Sequence, residues 1–278
     1  MPPRKAVCVI GWPIKHSRSP LIHNYWIKQH GFDAEYRREA VAPEQFADFL
    51  THLVERGYVG ANVTVPHKEV ALALSEPDER ARAVGAANTL WLDGARLRST
   101  NTDVEGFIGN LDATAPGWDR GLQCALVLGA GGGARAVVFG LLERGVARIL
   151  LVNRTAERAA ALRTQFGDRI TLARWSDLDS LMPEAGLLVN TTSLGMAGQP
   201  PLTIDLARLP ANAVVSDLVY VPLETALLAA ARSRGLRAVD GLGMLLHQAV
   251  DGFQRWFGMR PQVTEALRAL VEADLISK

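Results

Sequence analysis

Short apolar runs alternate with longer segments of helical periodicity along most of the chain. The first apolar run is AVCVI at residues 6–10, and the helical pattern PLIHNYWIKQHG follows it at residues 20–31. Later apolar runs read GANVTV, CALVL, ARILLV and AVVSDLVY. Strands that alternate with helices in this way form mostly parallel sheets covered by helices, so the pattern predicts an α/β fold.

Two further helices and one hairpin are predicted in the first part of the chain. The periodic segment PEQFADFLTHLVERG predicts a helix over residues 43–57, and PHKEVALAL predicts a second helix that begins at Pro66. The segment NTLWLDGARLRSTN predicts two strands joined by a tight Asp93-Gly94 turn.

The alternation is interrupted at residues 111–123, LDATAPGWDRGLQ, which are rich in Pro, Gly and Asp. After this break the strand–helix pattern restarts, and we expect a Rossmann-type domain over residues 104–240. Residues 1–103 form a mostly parallel α/β domain, and the final helices, 241–278, return to it because the strand series has finished before them. We expect a cleft between the two domains, where proteins often bind ligands.

Composition describes an ordinary globular protein and excludes several classes. The 278 residues carry a formal net charge of +1, which argues against a nucleic-acid-binding surface. No segment resembles a signal peptide or reaches the roughly 18 apolar residues of a membrane span. Both cysteines lie in apolar runs, and the six histidines show no metal-ligand spacing. We therefore expect a cytoplasmic protein without metal, membrane or nucleic-acid partners.

The segment CALVLGAGGGARAVV predicts a strand, a glycine-rich turn and a helix. Gly129, Gly131 and Ala134 fit the pattern G-x-G-x-x-G/A of dinucleotide-binding turns. In such turns the backbone amides at the start of the helix face a pyrophosphate, because the N-terminus of a helix carries partial positive charge. The segment therefore predicts a dinucleotide site.

The residues after the next strand favour NADP over NAD. NAD enzymes usually place a carboxylate there, where it accepts a hydrogen bond from the ribose 2′-hydroxyl. This chain has Asn153, Arg154 and Thr155 instead, with Arg158 one helical turn later. Two guanidinium groups and a hydroxyl suit a 2′-phosphate. A merely solvated basic helix start would be disfavoured by the helix dipole.

Two serines follow the first strand, in GWPIKHSRSPLIHN. Ser19 precedes Pro20 and could cap the first helix, but one cap requires only one serine. Ser17 would share a face with Ser19 in an extended segment, and two hydroxyls beside a helix N-terminus suit an anion. The residues alone leave open whether this loop is a helix cap or a carboxylate-binding site.

Lys68 lies in the first turn of the helix predicted after GANVTV, where a cation is unfavourable. The helix field would loosen its proton, as a general acid–base group requires, although many helices tolerate such a lysine on a solvated face. Asp103 could cap the helix that follows it. Asn88, Tyr220 and Gln248 each have an equally ordinary structural interpretation.

Nine segments of the chain resemble, in order, the motif series of the shikimate dehydrogenases. They read GWPIKHSRSPLIHN, GANVTVPHKE, GAANTL, NTDVEGF, GAGGGARA, NRTAER, NTTSLGM, DLVYVPLETALL and DGLGMLLHQAVDGF, and they span nearly the whole chain. Members of this family reduce 3-dehydroshikimate to shikimate with NADPH, in the pathway to aromatic amino acids. The resemblance implies the same reaction here, with the substrate on the first domain and NADP on the second.

The resemblance also implies roles for individual residues. Lys68 and Asp103 match the catalytic pair. The residues that match substrate ligands are Ser17, Ser19 and Tyr220 for the carboxylate end and Thr64, Asn88 and Gln248 for the ring hydroxyls. The residues that match cofactor positions are Gly129, Ala130, Gly131, Gly132, Gly133, Ala134, Asn153, Arg154, Thr155, Arg158, Thr192, Leu218, Gly241 and Met244, with Glu79 as a weaker match.

Two other functions remain open. A paralogue that acts on quinate or an aminated shikimate would share the motifs, but NAD-using quinate enzymes would be expected to carry an acid where Arg154 stands. A regulatory NADP-binding protein that had lost catalysis would be expected to lack the pair Lys68 and Asp103. The sequence leaves open whether the chain is a monomer or a homodimer.

Overall fold

The computed structural model describes residues 5–277 and divides the chain into two compact units. The first unit comprises the residues up to Thr102 together with those from Leu246 onward, and the second comprises Asp103–Leu245. The second boundary lies after residue 245 rather than after residue 240. Each unit contains one six-stranded sheet. No helix within the described part of the chain combines the length and apolar character that crossing a membrane requires.

The sheet of the first unit places several strand ends at one edge. Its strands are β1 (Lys5–Gly11), β2 (Ala34–Ala40), β3 (Tyr58–Val63), β4 (Glu76–Pro77), β5 (Thr89–Asp93) and β6 (Arg96–Thr100), in the spatial order β2-β1-β3-β5-β6-β4. β1 is parallel to β2 and β3, whereas β5 is antiparallel to β3 and β6. The carboxyl ends of β1, β3 and β6 and the amino end of β5 therefore share an edge.

The helices of this unit are shorter than the periodicity predicts. They are α1 (Ser19–Gln29), α2 (Phe46–Thr51), α3 (Lys68–Ala73) and α4 (Glu79–Val84). The predicted helix 43–57 opens as a 3-10 turn and ends at Thr51, because turns carry the chain to Gly57 at φ +84° and into β3. The helix predicted from Pro66 begins at Lys68 instead.

The second unit is an all-parallel, doubly wound sheet. Its strands are β7 (Cys124–Leu128), β8 (Arg148–Val152), β9 (Ile170–Ala173), β10 (Leu187–Asn190), β11 (Val214–Asp217) and β12 (Arg237–Val239). The spatial order is β12-β11-β10-β7-β8-β9. From β7, the strands β8 and β9 are added on one side and β10 to β12 on the other, so the order in which strands are added reverses between β7 and β10. This is the strand order of the Rossmann fold, which binds ligands at the carboxyl ends of the strands beside the reversal.

Alternate side chains of β7 enter separate cores on the two faces of this sheet. Ala125 and Val127 pack on one face, and Leu126 and Leu128 pack on the other. The helices of the unit are α5 (Asp103–Thr114), α6 (Gly132–Glu143), α7 (Ala156–Phe166), α8 (Leu178–Leu181) and α9 (Ala226–Ser233).

The last two helices are α10 (Gly241–Phe257) and α11 (Glu265–Ile276). The residues from Leu246 onward belong to the first unit and complete its core. Trp256 Nε1 donates to the Leu90 carbonyl oxygen at 2.8 Å, and Trp26 Nε1 donates to the Gln262 carbonyl oxygen at 3.1 Å. Phe253 stacks edge-on against Trp26, with ring centroids 5.5 Å apart. The C-terminal segment therefore packs against both α1 and β5.

Candidate active site

A network of buried polar side chains lies at the shared strand edge of the first unit. Asn88 immediately precedes β5, and its Oδ1 accepts from the Thr102 amide at 2.7 Å and from Thr89 Oγ1 at 3.1 Å. Asn62, near the end of β3, donates from Nδ2 to the Asn88 carbonyl oxygen at 3.2 Å and to Thr89 Oγ1 at 3.0 Å. Thr102 Oγ1 donates to Gln248 Oε1 at 3.4 Å. These bonds fix the orientation of the Asn88 amide.

Tyr36 extends this network toward the first helix. Its hydroxyl donates to Asn62 Oδ1 at 2.6 Å. Burial raises the pKa of Tyr36 well above its ordinary value, and a hydrogen bond with the Ser19 side chain opposes that shift. The predicted substrate residues Ser19, Asn88 and Gln248 are thus joined through side chains that sequence analysis did not name. Of these, Asn62 could have been predicted from the sequence, because it shares a strand face with Thr64.

The loop before α1 is held by two arginines. Arg38, on β2, donates to the Ser17 carbonyl oxygen from both Nε and Nη2, at 3.0 and 2.7 Å. Arg18 lies 2.8 Å from Asp274 Oδ2 of α11 through its Nε and donates from Nη1 to the His16 carbonyl oxygen at 2.6 Å. The loop backbone is therefore fixed from two sides.

The interpretation of Ser19 as a helix cap is wrong. Ser19 is the first helical residue of α1, and the N-cap position belongs to Arg18, whose side chain makes no capping bond. The Ser19 amide instead donates to Ser17 Oγ at 3.3 Å. Because Ser17 takes part of the capping role, the Ser19 hydroxyl lies beside the positive helix end without being required to cap it.

Lys68 and Asp103 each adjoin this network along the backbone. Lys68 is the first residue of α3, and its carbonyl oxygen accepts from the Ala87 amide at 2.9 Å, next to Asn88. Asp103 is the first residue of α5 and directly follows Thr102, whose amide binds Asn88. Thr64 follows β3, and its amide donates to the Ile10 carbonyl oxygen at 2.9 Å.

The aromatic layer behind this network contains a buried histidine. His23 stacks on Tyr36, with ring centroids 4.3 Å apart and planes 6° from parallel. Burial lowers the pKa of His23 from 6.5 to about 3, and the Asn62 side chain opposes this with a smaller effect. His23 is therefore neutral in the folded protein near neutral pH.

We expect His23 to make the stability of the protein depend on pH. Below pH 6.5 the unfolded chain binds a proton at His23 that the folded chain excludes until about pH 3. The free energy of unfolding should therefore fall by about 1.4 kcal/mol for each unit by which the pH is lowered within that window. Above pH 6.5 His23 should make no contribution to the pH dependence. Urea unfolding from about pH 7 to about pH 5 measures this slope. His23→Phe should reduce the slope and the exposed variant His30→Gln should not; equal slopes in all three proteins would contradict the prediction.

The second unit contains a pocket of about 1100 Å³ at the carboxyl ends of its central strands. Several predicted cofactor residues line it together, namely Gly129, Ala130, Gly131, Asn153, Arg154, Thr155, Arg158 and Thr192. The pocket also includes Arg174 and Trp175, which sequence analysis did not name. It lies where a doubly wound sheet binds its ligand.

The glycine-rich turn leaves room for a phosphate. Gly129 has φ +106°, and a Cβ there would lie 2.5 Å from Thr191 Oγ1, so only glycine fits without strain. A Cβ on Gly131 or Gly132 would meet no atom within 4 Å. Gly131 is the N-cap of α6 and makes no side-chain capping bond. The first amides of α6 therefore adjoin open space, as anion binding requires.

The guanidinium groups of Arg154 and Arg158 are exposed, and neither has an ion-pair or hydrogen-bond partner among residues 5–277. By contrast, Arg144 in the same unit pairs with both Asp112 and Asp119. Two neighbouring cations without a counter-charge repel each other, so their placement in one pocket favours binding of an anion.

A buried amide–carboxylate pair fixes the loops after β10 and β11. Asn190 Nδ2 donates to Asp217 Oδ1 at 2.8 Å, and Asn190 Oδ1 accepts from Thr192 Oγ1 at 2.7 Å. Asp217 also accepts from Thr225 Oγ1 at 2.7 Å. Burial raises the pKa of the Asp217 carboxyl group, and these hydrogen bonds oppose that shift. These bonds hold Thr192 and the segment that leads to Tyr220.

The remaining predicted cofactor residues lie outside the pocket lining. Gly132, Gly133 and Ala134 form the first turn of α6. Leu218 lies 3.1 Å from the position of a Cβ on Gly133, and Gly241 approaches the Leu218 carbonyl group so closely that a side chain would not fit. Met244 packs against the core of the second unit. Glu79 lies in α4 of the first unit.

The chain matches three family descriptions. Residues 9–90 match "Shikimate dehydrogenase substrate binding domain", residues 120–197 match "Shikimate / quinate 5-dehydrogenase", and residues 241–271 match "Shikimate 5'-dehydrogenase C-terminal domain". A curated "Shikimate dehydrogenase (NADP(+))" of Rhodopseudomonas palustris (strain TIE-1) is 70% identical over 275 residues, covering 99% of each chain. One from Nitrobacter hamburgensis is 69% identical, covering 98% of this chain and 95% of its own.

Solved structures agree with these matches. Shikimate dehydrogenase from Aquifex aeolicus superimposes with a TM-score of 0.85 at 32% identity, covering 96% of this chain and 97% of its own. Quinate dehydrogenase from Corynebacterium glutamicum, solved with NAD, gives a TM-score of 0.89 at 30% identity, with 96% and 98% covered. These matches confirm the family predicted from the sequence motifs. The chain belongs to the shikimate dehydrogenase family and is an NADP-dependent oxidoreductase.

Proposed function

We propose that this chain interconverts shikimate and 3-dehydroshikimate with NADP, the first unit binding the substrate and the second the cofactor. The observation that carries the proposal is the buried polar network around Asn88, next to the serine loop. A cyclic carboxylic acid with several ring hydroxyls requires oriented donors and acceptors on one side and an anion site on the other. The curated relatives at 65–70% identity, named shikimate dehydrogenases, support this substrate.

In this proposal the substrate carboxylate is bound by Ser17 and Ser19, beside the positive end of α1, with Tyr220 at the same end of the molecule. Thr64, Asn88 and Gln248 hold the ring hydroxyls. The two hydrogen bonds from Arg38 to the Ser17 carbonyl oxygen keep this serine in place and add a positive charge near the anion. Rigid placement of such groups lowers the entropic cost of binding.

Bound NADPH would supply the hydride. The residues of this chain would bind the cofactor and donate or accept the proton. The amides from Gly131 to Ala134 would bind the pyrophosphate, while Asn153, Arg154, Thr155 and Arg158 would bind the 2′-phosphate. Thr192, Leu218, Gly241 and Met244 would line the nicotinamide side. Glu79, the weaker match to a cofactor position, is the first residue of α4 in the first unit, and Asp78 is the N-cap of that helix. Its role toward the cofactor stays a prediction.

Reduction of a ketone leaves negative charge on its oxygen. Lys68 would donate the proton to that oxygen, and Asp103 would orient the Lys68 ammonium group and accept from the neighbouring hydroxyl. General acid catalysis of this kind accelerates reactions by about 10²–10⁴-fold. In the reverse direction Lys68 would accept the proton as the alcohol is oxidised.

Substitution of Ser17 should affect substrate binding more than turnover. We expect Ser17→Ala to raise the KM for shikimate by about tenfold, the effect of losing one hydrogen bond to a charged group, with little change in kcat. The carboxylate contact is equally strong in the ground and transition states, so it does not lower the barrier. Initial-rate kinetics measure both constants. A large fall in kcat with an unchanged KM would contradict this role.

One assay tests the proposed function against its nearest alternative. The purified chain is given shikimate or quinate, each with NADP⁺ or NAD⁺, and reduced cofactor is followed by its absorbance. We expect the highest kcat/KM with shikimate and NADP⁺. Faster oxidation of quinate, or a preference for NAD⁺, would assign the chain to the quinate branch of the family. Absence of any turnover would favour a non-catalytic NADP-binding protein.

A further inference from the structure

The segment that follows β9 lies beside the segment that follows β8. The two strands are parallel neighbours, and Val152 is in register with Ala173 at their carboxyl ends. Asn153 and Arg174 are therefore equivalent positions, each the first residue beyond its strand. Both segments line the same pocket. A ligand bound by Arg154 and Arg158 would therefore lie in the same pocket as Arg174 and Trp175.

Arg174 adds a third cation to this pocket. Like Arg154 and Arg158, its guanidinium makes no ion pair with a carboxylate in the part of the chain that the structure describes. The carboxylate nearest in sequence, Asp177, accepts from the Arg174 backbone amide at 3.2 Å and from Ser176 Oγ at 3.1 Å. Asp177 therefore fixes the turn that presents Arg174. Asp177 also lines the pocket, which therefore holds three guanidinium groups and one carboxylate. This excess of positive charge suits a dianion better than two guanidinium groups with that carboxylate would.

Trp175 gives the same pocket an aromatic side. It is 37% exposed, and it follows Leu172 and Ala173 in the lining of the pocket. An exposed indole face beside a cluster of cations favours a ligand that combines a flat ring with a phosphate.

We propose that the segment Arg174-Trp175 binds the adenosine 2′-phosphate end of NADP, with Arg174 on the 2′-phosphate and Trp175 against the adenine. The inference rests on the phosphate site proposed at Arg154 and Arg158, and it adds a specificity-determining arginine from a different strand. Arg174 then contributes only to NADP, whereas Trp175 contributes to any adenine nucleotide.

Binding of nucleotide fragments to the full chain tests the role of Arg174 without an activity measurement. Calorimetric titrations compare adenosine 2′,5′-bisphosphate with 5′-AMP in wild type, Arg174→Gln and a control, Arg208→Gln, which removes an equal charge from an exposed position outside the pocket. We expect Arg174→Gln to weaken the bisphosphate about tenfold, as loss of one charge-assisted hydrogen bond predicts, and to leave 5′-AMP within about twofold. The control should match wild type for both ligands.

A fourth protein, Arg154→Gln, separates this inference from the proposal on which it rests. If Arg154→Gln weakens bisphosphate binding and Arg174→Gln does not, the inference on Arg174 is overturned and the proposed phosphate site stands. If neither substitution has an effect, both are overturned.

The role of Trp175 is tested with the same two ligands. Trp175→Ala should weaken the bisphosphate and 5′-AMP by a similar factor, about five- to tenfold or more, since stacking on a base contributes on that scale. Trp175→Phe keeps an aromatic face and should retain most of the affinity. Unchanged binding in Trp175→Ala, or equal losses in the alanine and phenylalanine variants, would overturn the assignment of the indole to the adenine.

Discussion

Replacement of Lys68 with alanine will lower kcat by about a hundredfold or more, the lower end of the range for general acid catalysis. The lost factor corresponds to about 3 kcal/mol of transition-state stabilisation. Lys68 begins α3 beside the Asn88 network, and in our proposal its ammonium meets charge that develops only as the carbonyl is reduced. The KM for shikimate should change little, because this interaction is made mainly in the transition state.

Steady-state kinetics in both directions, together with shikimate binding by calorimetry, measure the two effects of Lys68→Ala separately. The exposed lysine of α1, Lys28, provides the matched control, and Lys28→Ala should keep wild-type kcat. Asp103→Asn should also lower kcat strongly if it orients the ammonium group. Near-normal turnover in Lys68→Ala would remove this residue from the chemistry.

Reversal of charge at Arg154 is expected to have the second large effect. Arg154→Asp should raise the KM for NADPH by about thirtyfold or more, because it removes a charge-assisted hydrogen bond and adds repulsion toward a 2′-phosphate. The KM for NADH should not rise, since a carboxylate at this place accepts from a ribose 2′-hydroxyl. The exposed variant Arg208→Asp should leave both constants near wild type. An unchanged KM for NADPH in Arg154→Asp would contradict the proposed phosphate site.

Local patterns predicted the second unit better than the first. The strand β7, the glycine turn and α6 are consecutive in sequence, and the positive φ of Gly129 and the open space at Gly131 follow from the motif. In the first unit, apolar residues at helical spacing extend to Leu53, yet α2 ends at Thr51, because the chain must turn at Gly57 to enter β3. The two-residue strand β4 is too short for any periodicity to reveal.

The polar network could be predicted only in part because its bonds join distant positions. Tyr36 binds Asn62 across 26 residues, and Thr102 binds Gln248 across 146. Such pairs depend on which strands become neighbours, and neither spacing nor composition encodes that choice. The sequence does not indicate Arg174 for the same reason, since its position beside Asn153 depends on the pairing of β9 with β8 in register.

The anchoring of α10 by Trp256 and of the following segment by Trp26 has a consequence for synthesis of the chain. The first unit draws on both ends of the sequence, whereas the second is one continuous stretch interposed between them. On the ribosome, the second unit has all of its strands once Val239 has emerged, and it can fold while translation continues. The first unit must wait with an open hydrophobic surface until Phe253 and Trp256 arrive, so its core is the last to close.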